Sequence, residues 1–143
     1  MKLSTRFRYG TRLILELALN YDQGPVFLKD ISNSQEISLK YLGQIVIKLK
    51  SAGIVSSTRG AHGGYYLTKH PENIRLSEII EALDGPFILV ECINDPQKCS
   101  RYEGCVARIF WMDINDKFYN TLDSITVQDL LIQKIKRTDS SLK

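Results

Sequence analysis

Three cysteines, Cys92, Cys99 and Cys105, lie within 14 residues of a 143-residue chain. Their spacing is six residues and then five. Structural zinc knuckles use pairs two residues apart, whereas loops of this length suit a bulkier centre such as an iron–sulfur cluster held by thiolates. The same positions could also hold three free thiols in an ordered loop. Because the number is odd, the thiols cannot all pair within one chain. A chain of 16.3 kDa with its own core needs no disulfide to fold, so the cysteines indicate a reducing compartment.

A second group of reactive side chains lies upstream. Ser38, Lys40, Tyr41, Gln44 and Lys48 share the polar face of one amphipathic segment, offering hydrogen-bonding and cationic groups of the kind that reach base edges and phosphates in a major groove. Arg59 follows, directly before Gly60-Ala61-His62-Gly63-Gly64, where a guanidinium can enter a narrow minor groove of high negative potential. His62 sits at the tip of that loop, placed for a phosphate contact. A plain solvated helix would carry similar groups, but the glycine-rich hairpin with arginine at its edge favours DNA. Gly43, in mid-helix, costs about 1 kcal/mol relative to alanine and requires close approach of either DNA or another helix. There is no nucleophile-histidine-acid set, phosphate-binding glycine motif or paired-histidine motif, so no enzyme is expected.

These groups must be positioned by the elements around them. Ser4 to Tyr21 is apolar on most sides and reads as a helix buried by several neighbours. Leu28 to Ser34 reads as a short helix, and Ser38 as the N-cap of a longer one whose apolar positions Leu39, Leu42, Val46 and Leu49 keep heptad spacing up to Gly53. Ile54 to Arg59 and Tyr65 to Thr68 are β-prone and form a hairpin. Leu76 to Leu83 is a short amphipathic helix, and the cysteine segment after Asp84-Gly85-Pro86 is a loop. Val106, Phe110, Ile114, Phe118 and Leu122 recur every four residues along a long amphipathic helix. Thr126 and Asp129 form a capping box for a last helix, Val127 to Ile135, with a frayed tail beyond it.

Charge is distributed unevenly. Through His70 the chain has 10 basic and 4 acidic residues, against 9 and 12 beyond it, a basic half that suits a polyanion joined to an acidic half that does something else. Apolar stretches such as Phe87–Val90 fall far short of the roughly 18 to 20 residues of a membrane helix, so a soluble, cytoplasmic protein without membrane association is expected. The fold class is mainly α with a small β-hairpin wing. Residues 1–70 form a winged helix-turn-helix, 71–105 a connector helix and sensor loop, 106–135 the dimerisation and terminal helices, and 136–143 a disordered tail.

Read together, these residues resemble the winged-helix regulators of the IscR, NsrR, RirA and CymR type, the Rrf-two family. The resemblance rests on Met1-Lys2-Leu3-Ser4 with Arg8-Tyr9-Gly10, on Gly24-Pro25-Val26, and on Ile37-Ser38-Leu39 with Tyr41-Leu42 and Gln44. It continues through Gly53-Ile54-Val55-Ser56-Ser57, Arg59-Gly60, Gly63-Gly64-Tyr65 and Trp111. It implies a homodimer with crossing C-terminal helices, recognition helices from Ser38 onward in the major groove of an operator, and wings around Arg59 in the minor groove. It also implies that Cys92, Cys99 and Cys105 bind an iron–sulfur cluster, either 2Fe-2S or 4Fe-4S. In IscR-like members the fourth ligand is a histidine at the place held here by Arg108, and in NsrR-like members an aspartate at the place held by Arg8. The three-cysteine pattern is thus like that of RirA, with solvent, a small molecule or a carboxylate of Glu91, Asp95 or Glu103 completing the site.

The expected function is a homodimeric DNA-binding regulator, a repressor, whose operator binding is modulated by a cluster or by thiol state. The alternatives are an iron–sulfur carrier or redox protein, and a winged-helix regulator that acts through a protein partner without a cluster.

Overall fold

The computed structural model describes residues 2–142. Helix α1 spans Thr5–Leu19 and is opened by Ser4, whose hydroxyl oxygen accepts from the Phe7 N–H at 2.9 Å. Its apolar residues Phe7, Leu13, Ile14 and Leu17 are buried on more than one side, because α1 meets α2 (Leu28–Gln35), α3 (Leu39–Ser51), α4 (Leu76–Asp84) and α6 (Val127–Ser141). The approach of α4 is especially close: a Cβ at Gly10 would collide with the fully buried Leu83 side chain. Only a residue without a side chain lets the two helices cross at that distance.

Helix α2 ends at Glu36 in the left-handed conformation (φ 53°), and Ser32 stitches the turn by donating from its hydroxyl to the Ile37 carbonyl at 2.6 Å. Arg12 reaches across from α1, donating to the Gln35 side chain at 2.8 Å and to the Gln35 carbonyl. Ser38 then caps α3, accepting from the Tyr41 N–H at 3.1 Å as its position before the apolar stripe predicts. The turn between α2 and α3 is therefore held from both flanks.

After α3, strands β1 (Val55–Thr58) and β2 (Gly64–Leu67) pair antiparallel, with Val55 opposite Leu67 and Thr58 opposite Gly64. The hairpin is not free-standing. Val26, just before α2, exchanges two backbone hydrogen bonds of 2.8 Å with Tyr65, adding a one-residue third edge to the sheet. The result is a winged helix-turn-helix followed by α4 and a long helix, mainly α with a two-stranded wing.

Helix α5 (Val106–Ser124) and α6 are joined by a tight turn in which Thr126 and Asp129 form the expected capping box. The Thr126 backbone and hydroxyl hydrogen bonds hold the Asp129 carboxyl below the usual carboxylate range. The α5 stripe divides along its length. Leu122 is 7% exposed and Phe118 packs on the core, its ring stacked on Phe87 at 4.8 Å, whereas Val106, Phe110 and Ile114 face solvent.

Helix α6 continues to Ser141, past the end expected at Ile135 and through most of the segment expected to be a disordered tail. Lys134 anchors it by donating to Glu16 on α1 at 2.7 Å, and Thr138, Ser140 and Ser141 donate back to carbonyls four residues earlier. Residues 136–141 are exposed, so the helix beyond Lys134 is held by these local bonds rather than by burial. Among the described residues no helix is long and apolar enough to cross a membrane.

Gly64 has φ +149°, and a Cβ there would lie 2.6 Å from the Val26 carbonyl oxygen. Gly64→Ala is expected to destabilise the protein by about 1 to 3 kcal/mol, read as a lower urea midpoint with an unchanged slope.

Candidate nucleic-acid interface and cysteine loop

Helix α3 buries Leu42, Ile45, Val46 and Leu49 and turns the opposite face outward. Lys40, Gln44 and Lys48 are exposed along that face at four-residue intervals, so all three side chains emerge on one side of the helix. The helix carries Lys40, Lys48 and Lys50 and no acidic residue. Lys50 is partly committed, donating to the Ser57 hydroxyl at 2.7 Å. Among the described residues, Lys40 and Lys48 join no ion pair, while Arg6, Lys69, Arg75, Lys98, Lys117 and Lys134 all do.

Two other predicted contacts have local duties. Ser38 spends its oxygen on the cap but keeps a hydroxyl proton to donate. Tyr41 is half-buried and sits edge-on to Tyr9 with ring centres 5.8 Å apart, so much of its ring is packed inward. Gly43 has nothing within 4 Å of the place a Cβ would occupy, so no helix of this chain packs against it. Sequence reasoning placed Leu39 in the buried stripe, but it is exposed and Ile45 takes the inward position. It also passed over Ile47, which is 64% exposed among the polar groups of the outer face. The signal was present: Ile47 falls off the stripe of Leu42, Val46 and Leu49.

The wing carries Arg59 and His62 in solvent, Arg59 at the end of β1 and His62 in the turn closed by the Gly63 N–H donating to the Gly60 carbonyl at 3.0 Å. Among the described residues Arg59 has no ion-pair partner. Gly63 and Gly64 serve the chain itself, since a Cβ on either would lie 2.6 Å from the Thr58 or Val26 carbonyl oxygen, whereas Gly60 faces open space. His70 is structural: its Nδ1 accepts from the Glu72 N–H at 3.3 Å and its ring packs edge-on to Tyr21.

The cysteine segment between α4 and α5 contains two single turns, Glu91–Ile93 and Pro96–Lys98, with Cys92 inside the first and Cys99 just after the second. All three thiols are half-buried and unpaired. Cys99 and Cys105 line one open hollow together with Arg101, Tyr102 and Glu103, and Cys92 lies outside that lining. Among the described residues no three His, Cys, Asp or Glu side chains gather as a group able to hold a single metal ion. Arg108 is occupied nearby, stacking over the Tyr102 ring at 4.0 Å and donating from Nε to the Tyr102 carbonyl at 3.1 Å. The loop is fastened to α5 where the Leu89 N–H donates to the Asn115 side-chain oxygen at 2.9 Å.

Comparison with known proteins gives a consistent result. The profile of the Rrf2 family, described as an iron-dependent transcriptional regulator, matches residues 3–133. The Rrf2 protein of Nitratidesulfovibrio vulgaris is 40% identical over 131 residues, covering 92% of this chain and 87% of its own. The solved structure of CymR, the global cysteine regulator of Bacillus subtilis, superposes with a TM-score of 0.78 at 38% identity, covering 93% of this chain and 98% of that one. IscR of T. potens does so with a TM-score of 0.77 at 34% identity, covering 94% and 88%.

Proposed function

Because this chain belongs to the Rrf2 family of transcription regulators, which are not enzymes, we propose that it binds operator DNA as a homodimer and represses transcription in the cytoplasm. The observation that carries this reading is the acid-free outer face of α3, where Lys40, Gln44 and Lys48 are exposed together and, among the described residues, Lys40 and Lys48 join no ion pair. Cations held unpaired on one surface are available to displace counterions from phosphates. In this reading Ser38, Lys40, Tyr41, Gln44 and Lys48 face the major groove, and Arg59 and His62 reach the backbone and minor groove from the wing.

The outward half of α5 supports the dimer. Val106, Ile109, Phe110, Trp111 and Ile114 are exposed along one helix, an apolar surface that a second copy would cover. The cysteine loop joins α4 to α5 in the chain, which supports a reading in which the state of Cys92, Cys99 and Cys105, as a bound iron–sulfur cluster or as thiols reduced or oxidised, modulates operator affinity. In this reading a cluster would be held by Cys99 and Cys105, which line one hollow, together with Cys92 from outside that lining. An anaerobic absorption spectrum with iron and sulfide counts separates cluster from bare thiol.

Three outcomes test the proposal. On a duplex selected from random-sequence DNA, Arg59→Ala and Gln44→Ala should each weaken binding by about 1 to 3 kcal/mol, while Lys48→Ala should lower the salt slope by about one; wild-type affinity in both of the first two rejects the docking. Phe110 is 62% exposed, so Phe110→Asp should give folded monomers in sedimentation, with native circular dichroism, and a persistent dimer would place the interface elsewhere. Anaerobically loaded protein and the triple alanine variant of the three cysteines should differ in operator affinity by about 1 to 3 kcal/mol, and equal affinities would leave the cysteines without a regulatory part.

A further inference from the structure

We infer that Ile47 and the bare backbone at Gly43 form a notch that seats the 5-methyl group of a thymine, so that the regulator reads a T·A pair by apolar contact beside the hydrogen bonds of Gln44. The inference rests on the DNA-binding reading above and specifies what one part of that surface recognises.

Both residues are locally unfavourable where they stand. Ile47 is 64% exposed, and a β-branched side chain on a solvent-facing helix position restricts its own rotamers without burying anything. Gly43 lies inside the helix with nothing within 4 Å of a Cβ position, so the backbone freedom it adds is not offset by packing within the chain. Two such conflicts one helical turn apart on one face are a mark of function, since local choices otherwise agree with the fold.

Helix geometry brings the two together. At 100° per residue, Ile47 projects opposite the buried Leu42, Ile45 and Leu49 and falls between Gly43 and Lys40, near the middle of the outward face and with Gln44 on the far side of Lys40. Side chains on a helix lean toward its N-terminus, so Ile47 leans over the turn that contains Gly43, where no side chain fills the space. The product is a small apolar recess with a wall on one side and bare backbone as its floor. Lysines bracket it, which fits an anionic partner and disfavours an apolar protein surface. Among the base edges of a major groove, the thymine methyl is the apolar protrusion of matching size.

The test uses the full-length protein and a duplex selected by it from random-sequence DNA, with each thymine of a half-site replaced in turn by deoxyuridine, which removes only the methyl. Wild-type protein should lose roughly three- to tenfold in affinity at one position per half-site, as expected for one buried methyl group. Ile47→Ser should still bind, with native circular dichroism and unchanged sedimentation, but should no longer distinguish thymine from uracil there. Ile47→Val should keep part of the discrimination. Gly43→Leu, which fills the recess, should weaken binding to the thymine duplex without lowering the melting temperature. Absence of any uracil-sensitive position, or the same sensitivity in Ile47→Ser, overturns the notch and leaves the DNA-binding reading standing. If no duplex can be selected at all, the DNA-binding reading itself fails and the notch with it.

Discussion

The wing keeps its place relative to the recognition helix through two backbone hydrogen bonds of 2.8 Å exchanged by Val26 and Tyr65. Without them the hairpin would be a two-stranded ribbon of four residues a side, a structure of marginal stability. With them, the segment entering α2 becomes part of the same sheet, and Gly64 supplies the clearance that lets the backbones meet. Thr68 adds a second tie, its hydroxyl donating to the Gly53 and Ile54 carbonyls at the end of α3. The positions of Gln44 and Arg59 are thereby coupled, as two grooves of one duplex require.

A second rigid joint lies at the other end of α4. Arg75 donates to the Asp123 carbonyl and carboxylate, Ser77 donates to the same carboxylate at 2.6 Å, and the backbones of Leu76 and Val127 bond to Ile125 and Ile74. Tyr119 joins α5 to α4 by donating to Glu81, and this hydrogen bond to a carboxylate raises the phenol above its usual range. Helix α4 also nests against α1 at Gly10, so it is in contact with both α5 and the first helix of the DNA-binding half. The segment that carries the cysteines is the covalent connection between the same two helices, held to α5 by the Leu89 bond to Asn115 and the Phe87 stack on Phe118. A segment joining two packed helices is where a chemical change can bias their relative placement.

Features governed by local chemistry were legible in the sequence. Ser38 and the Thr126–Asp129 pair declared their helix starts through oxygen acceptors at fixed offsets, and the glycines around His62 declared the hairpin turn. Features that depend on distant partners were not. The Val26–Tyr65 bridge leaves no periodic trace, and Gly10 owes its role to Leu83, more than seventy positions away. The α5 stripe looks uniform in the sequence because periodicity cannot separate an apolar face that meets its own core, as Leu122 does, from one left in solvent, as Phe110 is. Cysteine spacing likewise shows three clustered thiols but not the backbone path, and that path leaves Cys92 outside the hollow shared by Cys99 and Cys105.

In the proposed complex two copies of one rigid unit, α3 with its wing, address successive turns of a duplex. Hydroxyl-radical footprinting on the selected duplex measures this directly. Protection should be symmetric about a dyad, in clusters about one helical turn apart, with flanking protection where each wing enters the minor groove. A single asymmetric cluster, or uniform cleavage along the duplex at saturating protein, would contradict that arrangement.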